Sequence, residues 1–468
     1  MKELAAIILA AGKGTRMKSK MPKVLHRVAG FPMLYYPLSV LKGLKAKRVI
    51  VVVGHGAEEV RAAFADEKVE FVTQSEQLGT GHAVMTAVKG LAGFRGDILI
   101  LSGDVPLITK ETIKALCAIH RGASLKKRPA LSMVTALLED TKGYGRVVRD
   151  EHGAVVRVVE DRDCSPLQRE INEVNAGIYL VSSKFLLGNI GRVNNRNAQG
   201  EYYLPDLIEI AVKSGEKVSA LTHLYPEEVF GINNRVELAR ADKIMRKRTA
   251  EALMLNGVTI IDPDSTYIDA QVKAGMDTVI YPGVHLIGPT VIGEDCVIEE
   301  NVRIEDSSIG DNSTIKSHSI IEDSEAGKEV SIGPFARLRP GSVIRDRARI
   351  GNFVEVKKTV VGKGSKANHL TYLGDSVIGE GVNIGAGTIT CNYDGFSKHT
   401  TTIEDGAFIG SDTQLVAPVR VGKGAYVGSG TTVTRDVPPD SLVTTRAEER
   451  VIEGWAERKR RKGRKKGH

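Results

Sequence analysis

Residues 332–356 read IGPFARLRPGSVIRDRARIGNFVEV, and an aliphatic residue returns every six positions: Ile332, Leu338, Ile344, Ile350 and Val356. A period of six fits neither the 3.6-residue turn of an α-helix nor the two-residue alternation of a strand. It is the signature of a parallel β-helix, whose short repeats cannot bury an apolar face alone and bury it by stacking. The same beat runs through Ile292, Ile298 and Ile304, and through Ile403, Ile409, Leu415, Val421, Val427 and Val433. Gly follows the aliphatic residue at 293, 310, 333, 351, 379, 385, 410, 422 and 428, where tight turns are expected.

Such coils resemble the left-handed hexapeptide β-helix of acyltransferases, with three hexads to a turn. In that geometry residues 18 apart are stacked neighbours, about 4.8 Å apart, the spacing of paired strands. Arg339 and Lys357 stand in this relation, each directly after its aliphatic residue. Two unpaired cations stacked this way repel one another, and a phosphate between them would satisfy both. The bland alternative pairs each with a nearby acid, Glu355 being available.

The beat breaks at residues 362–376, so a loop carrying His369 is expected to leave the coil there. An imidazole titrating near neutral pH suits a base that takes a proton from an amine nucleophile. A second interruption at 390–400, TCNYDGFSKHT, offers Asn392 and Tyr393 as polar contacts. Ser411 and Ser429 repeat the 18-residue relation and would line one groove for an extended ligand, unless they are only small residues at a tight turn.

The first half of the chain has another rhythm. Short apolar runs at 5–9, 49–53 and 98–101 alternate with amphipathic stretches up to about residue 230, which predicts an α/β fold, a mostly parallel sheet covered on both faces. Ligands in such folds sit at the carboxyl ends of the strands. There lies LAAGKGTRM, residues 9–17, whose glycines and cations favour an anion. It is not a P-loop, because the spacing of Gly12-Lys13-Gly14-Thr15-Arg16 is wrong, and a dinucleotide fingerprint would need Gly where Met17 stands. Residues 233–256 read as one helix, with Asn at its start and Gly257 to stop it.

With 468 residues, 42% hydrophobic and 26% charged, the chain has length enough for two or three cores. Its formal net charge of +8 is concentrated in residues 457–468, ERKRRKGRKKGH, which contribute +7. The body is therefore nearly neutral, and the tail reads as solvated and disordered, without the interleaved aromatics of a nucleic-acid binder. Cys117, Cys164, Cys296 and Cys391 have no CxxC spacing, so neither a zinc site nor a disulfide framework is indicated. No stretch approaches eighteen apolar residues. A cytoplasmic protein with no membrane or nucleic-acid partner is expected.

In order along the chain, LAAGKGTRM, MPKVLH, QLGTGHA, GDVPL, GYGR, RLRPG, NFVEVKK, HLTYLGD, NIGAGTITCNYDG and GSDTQLVAPV resemble the bacterial bifunctional UDP-N-acetylglucosamine pyrophosphorylase and glucosamine-1-phosphate N-acetyltransferase family. The resemblance implies a Rossmann-like uridylyltransferase domain over 1–230, a helical linker over 231–257, a left-handed β-helix acetyltransferase domain over 258–445, and a C-terminal segment over 446–468. Leu9, Ala10, Ala11 and Gly12 would wrap the UTP phosphates, with Arg16 and Lys23 neutralising charge during nucleotidyl transfer. Asp104 and Asn233 would hold Mg²⁺, Gln74, Gly79 and Thr80 would meet uracil, and Gly145, Glu160 and Asn175 the sugar.

In the second half the same resemblance makes Arg339 and Lys357 the phosphate-binding cations and His369 the general base. Tyr372, Asn383, Asn392 and Tyr393 would contact the sugar phosphate, and Ala386, Ser411, Ser429 and Arg446 acetyl-CoA. It also implies a homotrimer, in which the segment from Thr431 onwards completes a neighbour's site. Departures are few: Ser102 replaces an aromatic, Asn368 a Gly and Ser429 an Ala seen in some members. The leading reading is acetylation of glucosamine 1-phosphate followed by uridylyl transfer to the N-acetylglucosamine 1-phosphate formed. A nucleotidyltransferase on a structural β-helix is the runner-up, and a silent solenoid scaffold a third reading.

Overall fold

The computed structural model describes residues 3–122, 128–445 and 448–464. The chain forms two compact units, Met1–Arg248 and Thr249–His468. A boundary at 248 falls within a helix, Arg235–Leu255, that follows the stretch expected to be helical. Asn234 caps it by accepting from the backbone of Val236 and Glu237, and Gly257 follows it with a left-handed φ of 95°.

The first unit is built on a nine-stranded sheet. Its strands are β1 (Glu3–Ala10), β2 (Arg48–Val53), β3 (Glu70–Thr73), β4 (Gly96–Ser102), β5 (Leu131–Leu137), β6 (Arg146–Arg149), β7 (Val155–Val159), β8 (Glu173–Ser182) and β9 (Val218–His223). The main order is β9-β5-β8-β4-β1-β2-β3, with β6 and β7 branching from β8. β1 runs parallel to both β2 and β4, whereas β8 is antiparallel to its neighbours. After Glu3, β1 is apolar to its end because both faces are covered. Ala5 and Ile7 enter one core with Ile50, Ile98 and Ile100, while Ala6 and Ile8 enter the opposite one with Val51, Leu99 and Leu101.

The second unit is a left-handed β-helix of three parallel stacks, with eleven, ten and nine strands. Most strands are two or three residues long, so each contributes one inward side chain. One interior column runs Ile280, Ile298, Ile315, Ile332, Ile350, and all five side chains have no exposed surface. Complete burial of each stabilises by about 2 kcal/mol, which lets a stack of weak repeats hold together. The glycines after the aliphatic residues serve close approach of coils: a Cβ at Gly351 would stand 2.1 Å from the Asn368 carbonyl oxygen.

Three sequence expectations change. The stacking distance is not always 18: Ile292 pairs with Ile309 at 17, and Leu338 with Val356 at 18. Residues 362–376 do not leave the coil, because Val360–Val361, Lys366–His369 and Tyr372–Gly374 are consecutive strands of the stacks. The break in the beat there is a single shortened coil with Ala367 and Leu373 still inside. The true excursion is the second one, which lengthens the Ile378-to-Ile403 step to 25 residues and closes with an antiparallel bridge between Tyr393 and Lys398. Finally, Trp455–Arg464 is helical rather than disordered, with Arg458–Lys462 exposed as expected of a solvated segment. Among the described residues, no helix is long and apolar enough to cross a membrane.

Candidate active sites

The first site lies at the carboxyl end of β1. Once the strand's apolar run ends, Gly14 takes a left-handed φ of 60° and the chain curls into the short turn Thr15–Met17. A side chain is impossible at Gly14 without displacing Lys23, whose Cβ would lie 2.7 Å away. The curl makes one wall of a cleft of about 420 Å³ that gathers Leu9, Ala10, Ala11, Gly12, Arg16, Lys23, Gln74, Gly79, Thr80, Asp104 and Asn233. Gly79, at φ 100°, precedes the helix Thr80–Val88, so that helix begins at the cleft.

Charge is concentrated at one point of the wall. The Lys23 ammonium donates to Asp104 Oδ2 and, at 2.8 Å, to Asn233 Oδ1, which also accepts from Arg16 at 2.9 Å. Asn233 is aimed there from the start of the long helix: its backbone N–H donates to Glu237 at 2.6 Å, and its amide NH₂ to the Gly231 carbonyl at 3.0 Å. Gly231 is itself bare by necessity, since a Cβ would meet Asp104 Oδ1 at 2.8 Å. One carboxylate and one amide oxygen converging on a cation at the edge of this cleft form an all-oxygen donor set that fits Mg²⁺, an ion that keeps most of its water. Among the described residues no cluster of three His, Cys, Asp or Glu competes as a metal centre.

Gly145, Glu160 and Asn175 are brought together. The Gly145 carbonyl accepts from the Asn175 backbone at 2.8 Å, a Cβ on Gly145 would lie 3.4 Å from Glu160 Oε1, and the Asn175 amide donates to Tyr179. Glu160 faces a second cavity of about 480 Å³ that Asp163, Tyr203 and Asp206 also line. Burial first, and the Asp206 charge second, push the Glu160 carboxyl up to about 7, and burial raises Asp206 to about 6.

The β-helix carries a second constellation, and register explains it. Asn352 pairs with His369, and the pairings of Ala367 with Ile384, Ile384 with Ile409 and Ile409 with Val427 continue that row through Ala386, Ser411 and Ser429. The histidine and the three residues expected to meet acetyl-CoA thus share one edge. Arg446, the fourth of that group, lies outside the described residues. On the adjacent face Arg337, Glu355 and Tyr372 are in register, with Arg339 and Lys357 beyond them; Asn383 belongs to a different stack, paired with Lys366.

The cations are not unpaired. Arg339 donates to Glu355 at 2.9 Å, and Lys357 lies 3.9 Å from Asp375 Oδ2. The nearby acid, not an empty space, holds Arg339 in the free protein. Among the described residues, no hydrogen bond joins the His369 ring to these groups. Asn392 donates to Asp375, and Tyr393 OH to the Gly395 carbonyl. The sequence reading missed Lys398, which the excursion folds back against Lys357; the hydrogen-bonding contact with Lys357 first, and its like charge second, hold the Lys398 pKa below the ordinary lysine value. Its only sequence signal was inclusion in TCNYDGFSKHT, because the insertion destroys the spacing that located Arg339 and Lys357.

A nucleotidyltransferase-type α/β unit and a hexapeptide β-helix in one chain define the class. Residues 6–135 match the MobA-like NTP transferase domain, 256–348 the GMPPB C-terminal domain, and 400–435 the bacterial transferase hexapeptide with six repeats. The Bifunctional protein GlmU of Trichlorobacter lovleyi is 51% identical over 460 residues, covering 98% of this chain and 99% of that protein. Those of Pelobacter propionicus and of Geobacillus sp. strain WCH70 are 51% and 52% identical, covering 99% and 97% of the chain and 100% and 97% of their own lengths. The chain belongs to the bifunctional GlmU family. It is a uridylyltransferase and an acetyltransferase in one polypeptide.

Proposed function

We propose that the β-helix transfers the acetyl group of acetyl-CoA to glucosamine 1-phosphate, and that the first unit then joins the N-acetylglucosamine 1-phosphate to UMP from UTP, releasing pyrophosphate. The observation that carries this reading is the convergence of Asp104 Oδ2 and Asn233 Oδ1 on one cation beside the Gly12–Gly14 curl. Mg²⁺ held there by Asp104 and Asn233 would offset negative charge on the triphosphate. Lys23 and Arg16 would then turn to the phosphate oxygens, stabilising charge as the sugar phosphate attacks the α-phosphorus. Gln74, Gly79 and Thr80 would read the base, and Gly145, Glu160 and Asn175 the sugar.

In the β-helix, Arg339 and Lys357 would hold the phosphate of glucosamine 1-phosphate, with Tyr372, Asn383, Asn392 and Tyr393 around the sugar. His369 would take the proton from the amine as it attacks the acetyl carbonyl, and the row through Ala386, Ser411 and Ser429 would carry the extended acetyl-CoA, with Arg446 at its end. A homotrimer, in which the chain from Thr431 onwards completes a neighbour's site, belongs to the same reading, as does a place in the cytoplasm. The test supplies purified protein with acetyl-CoA and glucosamine 1-phosphate, follows free thiol, then adds UTP and Mg²⁺ and follows pyrophosphate. Thiol followed by pyrophosphate is expected; pyrophosphate from N-acetylglucosamine 1-phosphate without any thiol would reduce the β-helix to a scaffold.

A further inference from the structure

Asp375 holds a position that neither the motifs nor the proposed contacts explain. It is the second residue past the inward Leu373, it adopts a left-handed φ of 49°, and its side chain is only 16% exposed. Its backbone is pinned between coils, its N–H donating to the Lys357 carbonyl at 3.0 Å and its carbonyl accepting from Thr401 at 3.3 Å. One carboxylate oxygen, Oδ2, accepts from the Asn392 amide and lies 3.9 Å from the Lys357 ammonium. The residue before it must be Gly374, because a Cβ there would come within 2.4 Å of the Tyr372 hydroxyl and 2.8 Å of the Asn392 amide nitrogen. Four polar groups from three coils and the inserted hairpin therefore close around a single acid.

Lys357 also has a cationic neighbour from the hairpin. Lys398, returned by the Tyr393–Lys398 bridge, faces Lys357, and the Asp375 charge offsets part of their repulsion. The charged and titratable groups that act most on Lys398 are Lys357, Asp375 and Tyr372. Arg339 is held separately by Glu355.

We propose that Asp375 is a positioning residue for acetyl transfer: its carboxylate holds the Lys357 ammonium by opposite charge and fixes the Asn392 amide, so that the sugar phosphate meets a cationic cradle already set in place. The inference rests on the acetyltransferase reading above. Loss of that opposite charge would disfavour the Lys357 ammonium beside Lys398 and weaken the cradle's attraction for a phosphate. With the acid present, the phosphate completes a cluster whose geometry is already set, which lowers the ordering cost of binding.

Asp375→Asn separates charge from shape, since the amide oxygen still accepts from Asn392. In the full-length protein, the alkaline limb of kcat/KM for acetyl transfer should move down by about one pH unit, as expected for loss of an opposite charge at this range. Asp375→Glu should restore most of the shift, and uridylyl transfer should be unchanged in both variants. Calorimetric titration with glucosamine 1-phosphate at pH 7 and pH 9 gives the same comparison where turnover is too slow: affinity should fall by about tenfold more between those values in Asp375→Asn than in the parent. An unmoved alkaline limb together with an unchanged pH dependence of binding overturns the proposal, even if the rate has dropped. A parent protein that releases no thiol at all overturns the acetyltransferase reading itself, a distinct result.

Discussion

The two sites are assembled in opposite ways. In the β-helix, spacing along the chain converts directly into position: residues 17 or 18 apart stand one strand apart, so Arg339 and Lys357 are neighbours because their numbers say so. In the α/β unit, Lys23, Asp104 and Asn233 meet although 81 and 210 residues separate Lys23 from its two partners. No periodicity predicts that meeting. A repeat architecture writes its active site into its register, whereas a wound sheet gathers its site from the loops at its strand ends.

If the two sites are as separable as their construction, the largest effects should be exclusive. Asp104→Ala should cut uridylyl transfer by about a thousandfold or more, the scale of losing a group that stabilises developing charge, and leave acetyl transfer within twofold. His369→Ala should do the reverse, removing the base and sparing the nucleotidyl reaction. Thiol and pyrophosphate assays on the same preparations decide it. A variant that lost both activities would break the comparison.

Stability should divide along the same line. Gly351→Ala forces a Cβ against the Asn368 carbonyl at 2.1 Å, backbone against which no rotamer gives relief. A cost of about 3 kcal/mol is expected, the upper end for overpacking. Differential scanning calorimetry should show this loss in a β-helix transition, with ligand-free unfolding of the first unit unshifted.

How much could be read beforehand follows from the same contrast. The aliphatic beat revealed the solenoid because each inward position is filled independently by burial, and the apolar runs at 5–9 and 98–101 revealed a sheet covered on both faces. Beyond the anion-favouring stretch 9–17, site residues in the first unit came from resemblance, since only the folded chain brings Asn233 to Lys23. Lys398 and Asp375 stayed hidden for a local reason: the inserted hairpin moves Lys398 out of the 18-residue frame, and Asp375 acts through groups that each look sufficient alone. The shortened coil at 362–376 misled in the other direction, because a missing residue and a departing loop disturb the beat identically.

Glu160 offers a smaller test confined to the first unit. Its folded pKa of about 7 lies above the ordinary 4.5, so the folded state prefers the protonated form. The stability this provides is fully present below about pH 4.5 and is lost as pH rises through 7. Glu160→Gln, neutral at every pH, should therefore gain on the parent protein between pH 5 and pH 8, by about 2 kcal/mol after allowance for partial solvation. Urea midpoints at those two values measure it. A constant difference would mean that the carboxyl is ionised throughout and that the cavity is wetter than its walls imply.

The smallest effect concerns the acid that occupies Arg339. The Arg339–Glu355 pair is 37% and 38% exposed, and such pairs contribute about 0.5 kcal/mol. If Arg339 must leave Glu355 to take the phosphate, that contribution is subtracted from substrate binding, and Glu355→Gln should lower KM for glucosamine 1-phosphate by about twofold. Salt weakens the pair that Arg339 gives up, so the advantage over the parent should shrink as ionic strength rises from 0.05 to about 0.5 M. A raised KM would carry the opposite meaning: Glu355 would be orienting Arg339 for the phosphate as Asp375 orients Lys357, and the two cations would each depend on an acid for their place.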